Sequence, residues 1–394
     1  MRTAKCGIFF CALSLLSLGL VMLWDIDAVA TRERWQCSHF FWRQLGWIGL
    51  GLPIMLLVAR QDYKRWRKFV FPVFGVAVAM FFVPSCMRRY VPGMGWATVI
   101  GGISFWPAEL CVIATVLCLA NCLAYWQENA PQTQPSSSHA AQPTMSGLAT
   151  CLLLFGVFWL WGLVILATNS SSVLLLAVPA LIILWLGGAR RWLVATCYGG
   201  IAVGYCCWLR CNEPRWTRFI DSYRWQFEVA HCRPLPAIAL SRGGWLGVGL
   251  GNGTVSGIDD PACATDFMGT VIGEELGCVA MICLVLVYAA LIGAGLLVSL
   301  KARDDWGFLL GLGITSLIGV QALINLAVVT SLIPLRAPAL PFVSYAGGDL
   351  VMMLACVGLL LSIAKHSAVG APADSGRDPG TSAVLPPNAV AKAS

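Results

Sequence analysis

Long runs of apolar residues, separated by short polar stretches, dominate this chain. A helix needs about twenty consecutive apolar residues to cross a lipid bilayer, and ten runs approach or exceed that length. They occupy residues 6–24, 45–59, 69–85, 107–125, 147–167, 172–187, 191–208, 268–300, 307–333 and 350–365. The pattern predicts an all-α, polytopic integral membrane protein with about ten transmembrane helices, in a domain that spans residues 1–365.

The basic residues indicate which ends of these helices face the cytoplasm. They are concentrated in "RQDYKRWRK" after the second run, "GARR" after the sixth and "KARDD" after the eighth, and Arg2 and Lys5 lie on the same side. Cytoplasmic loops carry the excess of Lys and Arg, so this side is predicted to be cytoplasmic, with both termini inside. One long extracytoplasmic loop, residues 209–266, then connects the seventh and eighth helices.

Composition agrees with a membrane protein and excludes other classes. The chain is 58% hydrophobic and 11% charged, which is outside the range of a soluble domain. Its net charge of +7 comes without a basic stripe interleaved with aromatic residues, so no nucleic-acid partner is expected. The 17 cysteines fall mostly inside apolar runs and form no zinc-type pair. Residues 127–146 and 366–394 have the composition of a flexible cytoplasmic loop and a disordered cytoplasmic tail.

The extracytoplasmic loop carries more arginine than the positive-inside bias predicts. Its arginines are Arg210, Arg215, Arg218, Arg224, Arg233 and Arg242. Arg215 and Arg218 fall one turn apart if the segment is helical, and their guanidinium groups suit bidentate binding of an anionic headgroup. The alternative is that the arginines pair with the acids of the same loop, which are Glu213, Asp221 and Glu228. The glycine cluster "SRGGWLGVGLGNG", residues 241–253, favours a close backbone approach to a helix or a glycan over a nucleotide site.

Three acids stand at the start of the eighth apolar run, where a carboxylate near hydrocarbon is costly. Asp266 lies at the helix entrance, where it is either a helix cap, with Thr265 as a rival cap, or a general base acting on a headgroup. Glu274 and Glu275 lie further in and are expected to face protein or a water-filled cavity. Glycines recur every four residues from 269 to 277, which predicts a close contact with a neighbouring helix.

Several blocks, in order along the chain, resemble the SEDS family of shape, elongation, division and sporulation proteins, which includes FtsW, RodA and SpoVE. The specific blocks are "GWLGVGLGNG", "ATDFMGTVIGEELG" and "QALINLAVVTSLIPLRAPALPFVSYAGGDL", and weaker ones are "RQLGW", "SFWPAEL" and "PRWTRFID". "GLGNG", "GEELG" and Arg336 look more like FtsW than RodA. The resemblance implies a peptidoglycan glycosyltransferase that polymerises lipid II at the outer face of the bacterial cytoplasmic membrane, in cell division or otherwise in elongation.

The resemblance also implies roles for individual residues. The family's essential Asp lies in a block that reads "PACATDF" here, which makes Asp266 the catalytic base for the 4-hydroxyl of the acceptor sugar. Substrate contacts are expected from Arg215, Arg218, Glu109, Trp96, Ser344 and Tyr345, and auxiliary acids are Asp259, Asp260 and Glu274. The chain departs from the family at several positions. The block's Glu and His are Ala262 and Ala264, the Lys expected three residues after Glu109 is Val112, and SYGGSS reads "SYAGGD".

The implied substrates are lipid II and a glycan strand linked to undecaprenyl pyrophosphate. The implied partners are a class B penicillin-binding transpeptidase and other divisome or elongasome proteins. A divalent cation, Mg²⁺ or Mn²⁺, could assist Arg215 and Arg218 with the pyrophosphate, and the sequence assigns no ligands to it. Two alternatives remain open. Acids inside the membrane such as Glu109 and Glu274 fit a lipid II flippase or other transporter, and the lost motif residues fit a non-catalytic scaffold for the transpeptidase.

Overall fold

The computed structural model describes residues 2–32, 39–87, 98–100, 103–105, 107–129, 170–189, 235–256, 261–333 and 337–368, with short stretches and single residues between 192 and 217. The predicted membrane character is confirmed, because the described part contains six helices long and apolar enough to cross a bilayer. These are Thr3–Thr31, Phe40–Arg60, Glu109–Glu128, Gly277–Leu300, Asp305–Val329 and Gly348–Ser367. The total of ten stays a prediction, since the run 147–167 and much of 191–208 lie outside the described residues.

The helices follow the predicted apolar runs in order. They are α1 (Arg2–Arg32), α2 (Phe40–Arg60), α3 (Tyr63–Trp66) with a following 3₁₀ turn (Arg67–Phe69), α4 (Val70–Met87), α5 (Pro107–Asn129), α6 (Ser170–Leu186), α7 (Leu235–Gly243), α8 (Met268–Glu275), α9 (Gly277–Leu300), α10 (Asp305–Val329) and α11 (Gly348–Ala368). The all-α prediction needs one correction. Strands β1 (Thr98–Ile100) and β2 (Ile103–Phe105) pair antiparallel in a short hairpin before α5.

Two helices extend into stretches predicted as a flexible loop and a disordered tail. Helix α5 continues to Asn129, into the stretch predicted as a flexible loop, because Gln127 Nε2 donates to Gly187 O at 2.9 Å and Glu128 pairs with Arg67 at 2.8 Å. Helix α11 continues to Ala368, three residues into the predicted tail. Polar side chains near the ends of these helices thus find partners on neighbouring elements. The remaining residues of the loop and tail, 130–146 and 369–394, lie outside the described part.

Helix α10 is the centre of the bundle. It packs against α5, α6, α9 and α11, as expected for a helix that is apolar on nearly every side. Its glycines allow this close approach: a Cβ at Gly311 would lie 2.6 Å from Ser299 Oγ of α9, and a Cβ at Gly313 would lie 2.7 Å from Val116 Cγ1 of α5. Around this centre, α1 packs against α2, α9 and α11, and α2 lies along α11.

The eighth apolar run forms two helices, where the sequence predicted one. Helix α8 ends at Glu275, and the candidate span α9 begins at Gly277, so α8 is not part of that span. Gly277 has a φ of +80°, a conformation that costs a residue with a side chain about 1–2 kcal/mol. At the break, the C-terminal end of α8 lies against residues 244–256, which are called the glycine loop below. Gly244 O accepts the Cys278 N–H at 2.9 Å, so the loop supplies a hydrogen bond at the start of α9.

The glycines of this run do not contact one neighbouring helix, as the four-residue spacing predicted. A Cβ at Gly269 would meet Asn325 and Val329 of α10, whereas a Cβ at Gly273 would meet Leu240 of α7. A Cβ at Gly277 would meet the backbone of the glycine loop. Gly269 and Gly273 lie on α8 between α10 and α7, whereas Gly277 lies at the break, against the glycine loop. The close backbone approach predicted for the glycine cluster is confirmed, with α8 and α9 as the partner.

The broken helix generates a stability prediction. Gly277→Ala should lower the midpoint of thermal unfolding in detergent, because the new Cβ meets the Gly247 N, Trp245 O and Leu246 C atoms and φ is positive. We expect a loss of at least about 1–2 kcal/mol from the backbone strain alone. Gly293→Ala, in the same helix and with no atom near the added Cβ, should leave the midpoint unchanged or raise it. The expected gain in the free energy of unfolding is at most about 1 kcal/mol. Equal midpoints for both variants would contradict the strained break.

Candidate functional site

Asp266 lies in a tight turn between a 3₁₀ turn (Pro261–Cys263) and α8. The Thr265 and Phe267 N–H groups both donate to Ala262 O, at 3.2 and 2.9 Å, which closes the turn. The predicted cap is wrong, because α8 has Phe267 at its N-cap position and no side-chain cap hydrogen bond. The helix begins two residues after Asp266, so neither Asp266 nor Thr265 is in register to cap it. The half-buried Asp266 is therefore not the N-cap residue of α8.

Two amide side chains of α10 hold the backbone around Asp266. Asn325 Nδ2 donates to Asp266 O at 3.1 Å and to Pro338 O at 2.6 Å. One turn earlier, Gln321 Nε2 donates to Ala339 O at 3.0 Å. Both amides are almost fully buried, and a buried amide is costly unless it is hydrogen-bonded. Sequence reasoning missed these residues, although two amides four positions apart in an apolar helix are the signal that could have found them.

The segment that receives these hydrogen bonds, residues 337–347, is called the strap below. Its Tyr345 N–H donates to Ala264 O at 2.9 Å, so the strap and the Asp266 turn are joined directly. Ser344 is fully buried, and its Oγ accepts a backbone N–H of the strap at 2.9 Å. This geometry favours a structural role for Ser344. Tyr345 is half-buried, and its ring lies 5.1 Å from that of Phe40, centroid to centroid.

Two further acids converge near Asp266. Glu109, in the first turn of α5, lies within electrostatic range of both Asp266 and Asp349. Asp349, in the first turn of α11, is 4% exposed, and its Oδ1 has no hydrogen-bond partner in the described part. Its Oδ2 lies 3.5 Å from Gln321 Nε2. The Lys that the resemblance predicts is replaced by the buried Val112. The site therefore contains several carboxyl groups and lacks that positive charge. Asp349 was missed as a site residue, although the departure "SYAGGD" contained it.

Glu274 anchors the glycine loop. Its carboxylate is fully buried and accepts hydrogen bonds from the Thr254 N–H at 2.9 Å, the Thr254 hydroxyl and the Val255 N–H at 3.0 Å. Arg242 Nη1 lies 3.6 Å from Glu274 Oε1, so this arginine pairs with Glu274. Burial raises the pKa of Glu274, but these hydrogen bonds and Arg242 together lower the pKa below its ordinary value. Glu274 is thus an ionised structural anchor.

Several predicted site residues lie outside the described residues: Arg215, Arg218, Trp96, Asp259 and Asp260. Their roles stay predictions. The structure therefore brings together Asp266, Glu109, Ser344 and Tyr345 of the predicted set, and it adds Asn325, Gln321 and Asp349.

The described residues do not form a site for the expected divalent cation. No three of their His, Cys, Asp or Glu side chains come together as metal ligands. Glu109, Asp266 and Asp349 interact electrostatically without forming such a set. The cation stays a prediction, and the steps proposed below use side chains alone.

Comparison with known proteins agrees with this arrangement. The chain is 30% identical over 373 residues to a probable peptidoglycan glycosyltransferase FtsW of Geobacter sulfurreducens, covering 91% of this chain and 94% of that protein. It is 28% identical over 365 residues to the stage V sporulation protein E of Bacillus subtilis, covering 90% and 95% of the two chains. The relatives thus extend over nearly the whole membrane domain.

Solved structures share the fold. One is a chain from a peptidoglycan synthase complex, studied for its coordination of polymerization and crosslinking, with a TM-score of 0.67, 21% identity and coverage of 92% of this chain and 97% of that chain. Another is the rod shape determining protein RodA of Thermus thermophilus, with a TM-score of 0.61, 20% identity and coverage of 91% and 96%. Residues 6–369 match the family model described as a cell cycle protein. This chain therefore belongs to the FtsW/RodA/SpoVE family.

Proposed function

We propose that this protein is a peptidoglycan glycosyltransferase that polymerises lipid II, in cell division or otherwise in elongation. The observation that carries the proposal is the setting of Asp266. Its backbone is held by Asn325, its turn is joined to the strap through Ala264, and Phe267 rather than Asp266 takes the N-cap position of α8. A half-buried acid on a rigid backbone suits a general base, because base catalysis depends on fixed geometry at the reacting proton.

The reaction joins two lipid-linked sugars. Asp266 takes the proton from the 4-hydroxyl of the acceptor lipid II sugar, and that oxygen attacks the anomeric carbon of the growing strand. The bond from this carbon to the pyrophosphate breaks, so undecaprenyl pyrophosphate leaves and the configuration is inverted. General-base assistance of this kind contributes roughly 10²–10⁴-fold to the rate. Glu109 and Asp349 line the same region, where they restrict the position of the acceptor hydroxyl.

The leaving group needs positive charge, since pyrophosphate gains negative charge as the bond breaks. Arg215 and Arg218 of the extracytoplasmic loop are the proposed source. A guanidinium group binds phosphate oxygens through two parallel N–H donors, which a lysine cannot do.

The proposal includes the orientation in the bacterial cytoplasmic membrane. Ten spans with both termini in the cytoplasm put the loops with most Lys and Arg inside and Asp266 at the outer face. A cross-linking enzyme of the class B penicillin-binding type is the proposed partner, which agrees with the fold shared with a chain of a synthase complex that polymerises and cross-links peptidoglycan. Lipid II flipping and a purely scaffolding role are the alternatives that the first test below separates.

The first test changes the proposed base. Asp266→Asn keeps the size of the side chain but cannot accept the proton, so lipid II polymerisation by the purified protein with its transpeptidase should fall at least about 10²-fold. Thermal unfolding should be unchanged, because the Asn325 hydrogen bond goes to the backbone of residue 266. Asp304→Asn is the matched control. Asp304 is a true cap, accepting the Gly307 N–H of α10 at 3.1 Å, and its variant should retain polymerisation.

Normal glycan synthesis by Asp266→Asn would show that the base is another group. If the parental protein makes no glycan even beside its transpeptidase, the scaffold or transport alternative is correct.

The second test concerns the arginines. Arg215→Ala and Arg218→Ala should each raise the lipid II concentration needed for half-maximal polymerisation by about tenfold or more, since a hydrogen bond to a charged group is worth roughly 1.5–3 kcal/mol. Lys at either position should restore only part of this loss. Arg303→Ala, at an exposed position in the loop before α10, is the control and should behave like the parental protein. Parental kinetics for both loop variants would exclude a pyrophosphate role.

The third test concerns orientation. Single cysteines in place of Lys64 and Arg224, in a background whose exposed native thiols have been removed, should react on opposite sides of the membrane. A membrane-impermeant maleimide should label residue 224 in intact cells and residue 64 only after the membrane is opened. The reverse pattern would invert the proposed topology.

A further inference from the structure

A second pair of acids, away from Asp266, joins α1 to α8. Asp25 of α1 is 9% exposed and Glu275, the last residue of α8, is 1% exposed. The two carboxyl groups lie close enough to each other to share a hydrogen bond. Glu275 Oε1 also accepts the Ser256 hydroxyl at 2.7 Å. The glycine loop lies over the pair, since a Cβ at Gly253 would lie 2.6 Å from Glu275 Oε1.

The contact between the two acids requires a proton. In the described part, Asp25 Oδ2 and Glu275 Oε2 are both buried, and no hydrogen-bond donor reaches either oxygen. Two carboxylates are acceptors only, so a hydrogen bond between them exists only when one carries a proton. Two ionised carboxylates in one buried site would also repel each other. This repulsion favours the state in which one of the two carboxyl groups keeps its proton.

No neighbouring cation replaces that proton in the described residues. On the same helix, Glu274 is engaged by Thr254, Val255 and Arg242. On α1, Asp27 accepts the Phe40 and Phe41 N–H groups at 3.2 and 2.9 Å and so caps α2.

The pair acts on the segment that carries the proposed base. Glu275 ends α8, the helix that begins two residues after Asp266, and α1 packs against α8. Beyond Glu275 the chain breaks at Gly277, so α8 is not continuous with the span α9. At this end, the contact of Glu275 with Asp25 and the anchoring of Glu274 act together with the Val248 and Gly249 N–H groups, which donate to Glu274 O and Glu275 O at 3.0 Å.

We propose that Asp25 and Glu275 share one proton, and that this proton ties α8 to α1 and so positions Asp266 for the reaction. The positioning role rests on the proposed glycosyltransferase function, whereas the shared proton does not. Asp25 and Glu275 are positioning residues that act through α8 and touch no reacting atom.

The direction of the pH dependence follows from the geometry. Burial and the hydrogen bond with Asp25 raise the pKa of Glu275 from about 4.5 to about 8, against the Ser256 hydrogen bond, which lowers it. Because the pKa is higher in the folded than in the unfolded protein, the tie is fully present below about 4.5. It is lost progressively as the pH rises through about 8.

The test measures hydrogen exchange of peptides from α8, corrected for the intrinsic pH dependence, in the parental protein and in two variants. In the parental protein, the equilibrium constant for opening of α8 should increase by up to about tenfold per pH unit between pH 5 and 8. Asp25→Asn and Glu275→Gln supply an amide N–H in place of the shared proton, so each should remove this slope and keep α8 protected at pH 9. Asp27→Asn, two residues along α1, is the matched control and should keep the parental slope with a constant offset.

A flat parental curve, which requires no variant, would overturn the proposal, and so would equal slopes in all four proteins. A slope that disappears when EDTA is added would show that a bound cation, and not a proton, joins the acids. The positioning role predicts that parental glycan synthesis declines over the same pH range and that synthesis by Asp25→Asn does not. If the exchange of α8 depends on pH as expected but this difference in glycan synthesis is absent, the positioning role is wrong. A parental protein that makes no glycan at any pH would refute the proposed function and leave the exchange result to decide on the proton.

Discussion

The Asn325 side-chain amide is the interaction on which the site depends. It is fully buried in the middle of an apolar helix, and its Nδ2 donates both to Asp266 O and to Pro338 O. Exchanging the amide for an apolar group would remove the donor from two partly buried carbonyl oxygens, which costs up to about 1–3 kcal/mol for each group. In the native protein, the same cost disfavours any arrangement in which the Asn325 amide loses these two carbonyl oxygens. Because α10 is enclosed by its neighbours, the amide cannot find water instead, and it holds the Asp266 turn and the strap in one arrangement.

The break between α8 and α9 explains how the protein buries so many acids beside a membrane span. A continuous helix would carry Glu274 and Glu275 along the span, where each costs about 2.5 kcal/mol or more if it faces lipid. The break at Gly277 brings the end of α8 against the glycine loop, whose backbone N–H groups reach Glu274. Glycine is needed at the junction because the two backbones approach closer than a side chain would allow.

The buried acids of the described part that are named above lie in two regions, and each region accommodates its carboxyl groups differently. Glu274 stays ionised because several donors surround it. Asp25 and Glu275 each keep one buried oxygen that no donor reaches in the described part, and the proposed shared proton satisfies these two atoms. Around Asp266, Asp349 has one unpartnered oxygen in the described part, and Val112 stands where the family has a Lys. Both departures change the charged groups of the same site, because one removes the family's Lys and the other adds Asp349.

The sequence alone determined the membrane class, the order of the helices, the family and the identity of Asp266 as the proposed base. These follow from properties that are local in the chain: apolar runs of bilayer length, the distribution of Lys and Arg, and motifs of consecutive residues. The cap at Asp266 and a single eighth helix were wrong, because helix register and the break at Gly277 depend on the glycine loop packed against that point. Only the tertiary structure decided that Asn325, Asp349 and the Asp25–Glu275 pair matter. Their partners lie far away in the chain, and a contact between residues 25 and 275 leaves no periodicity in the sequence.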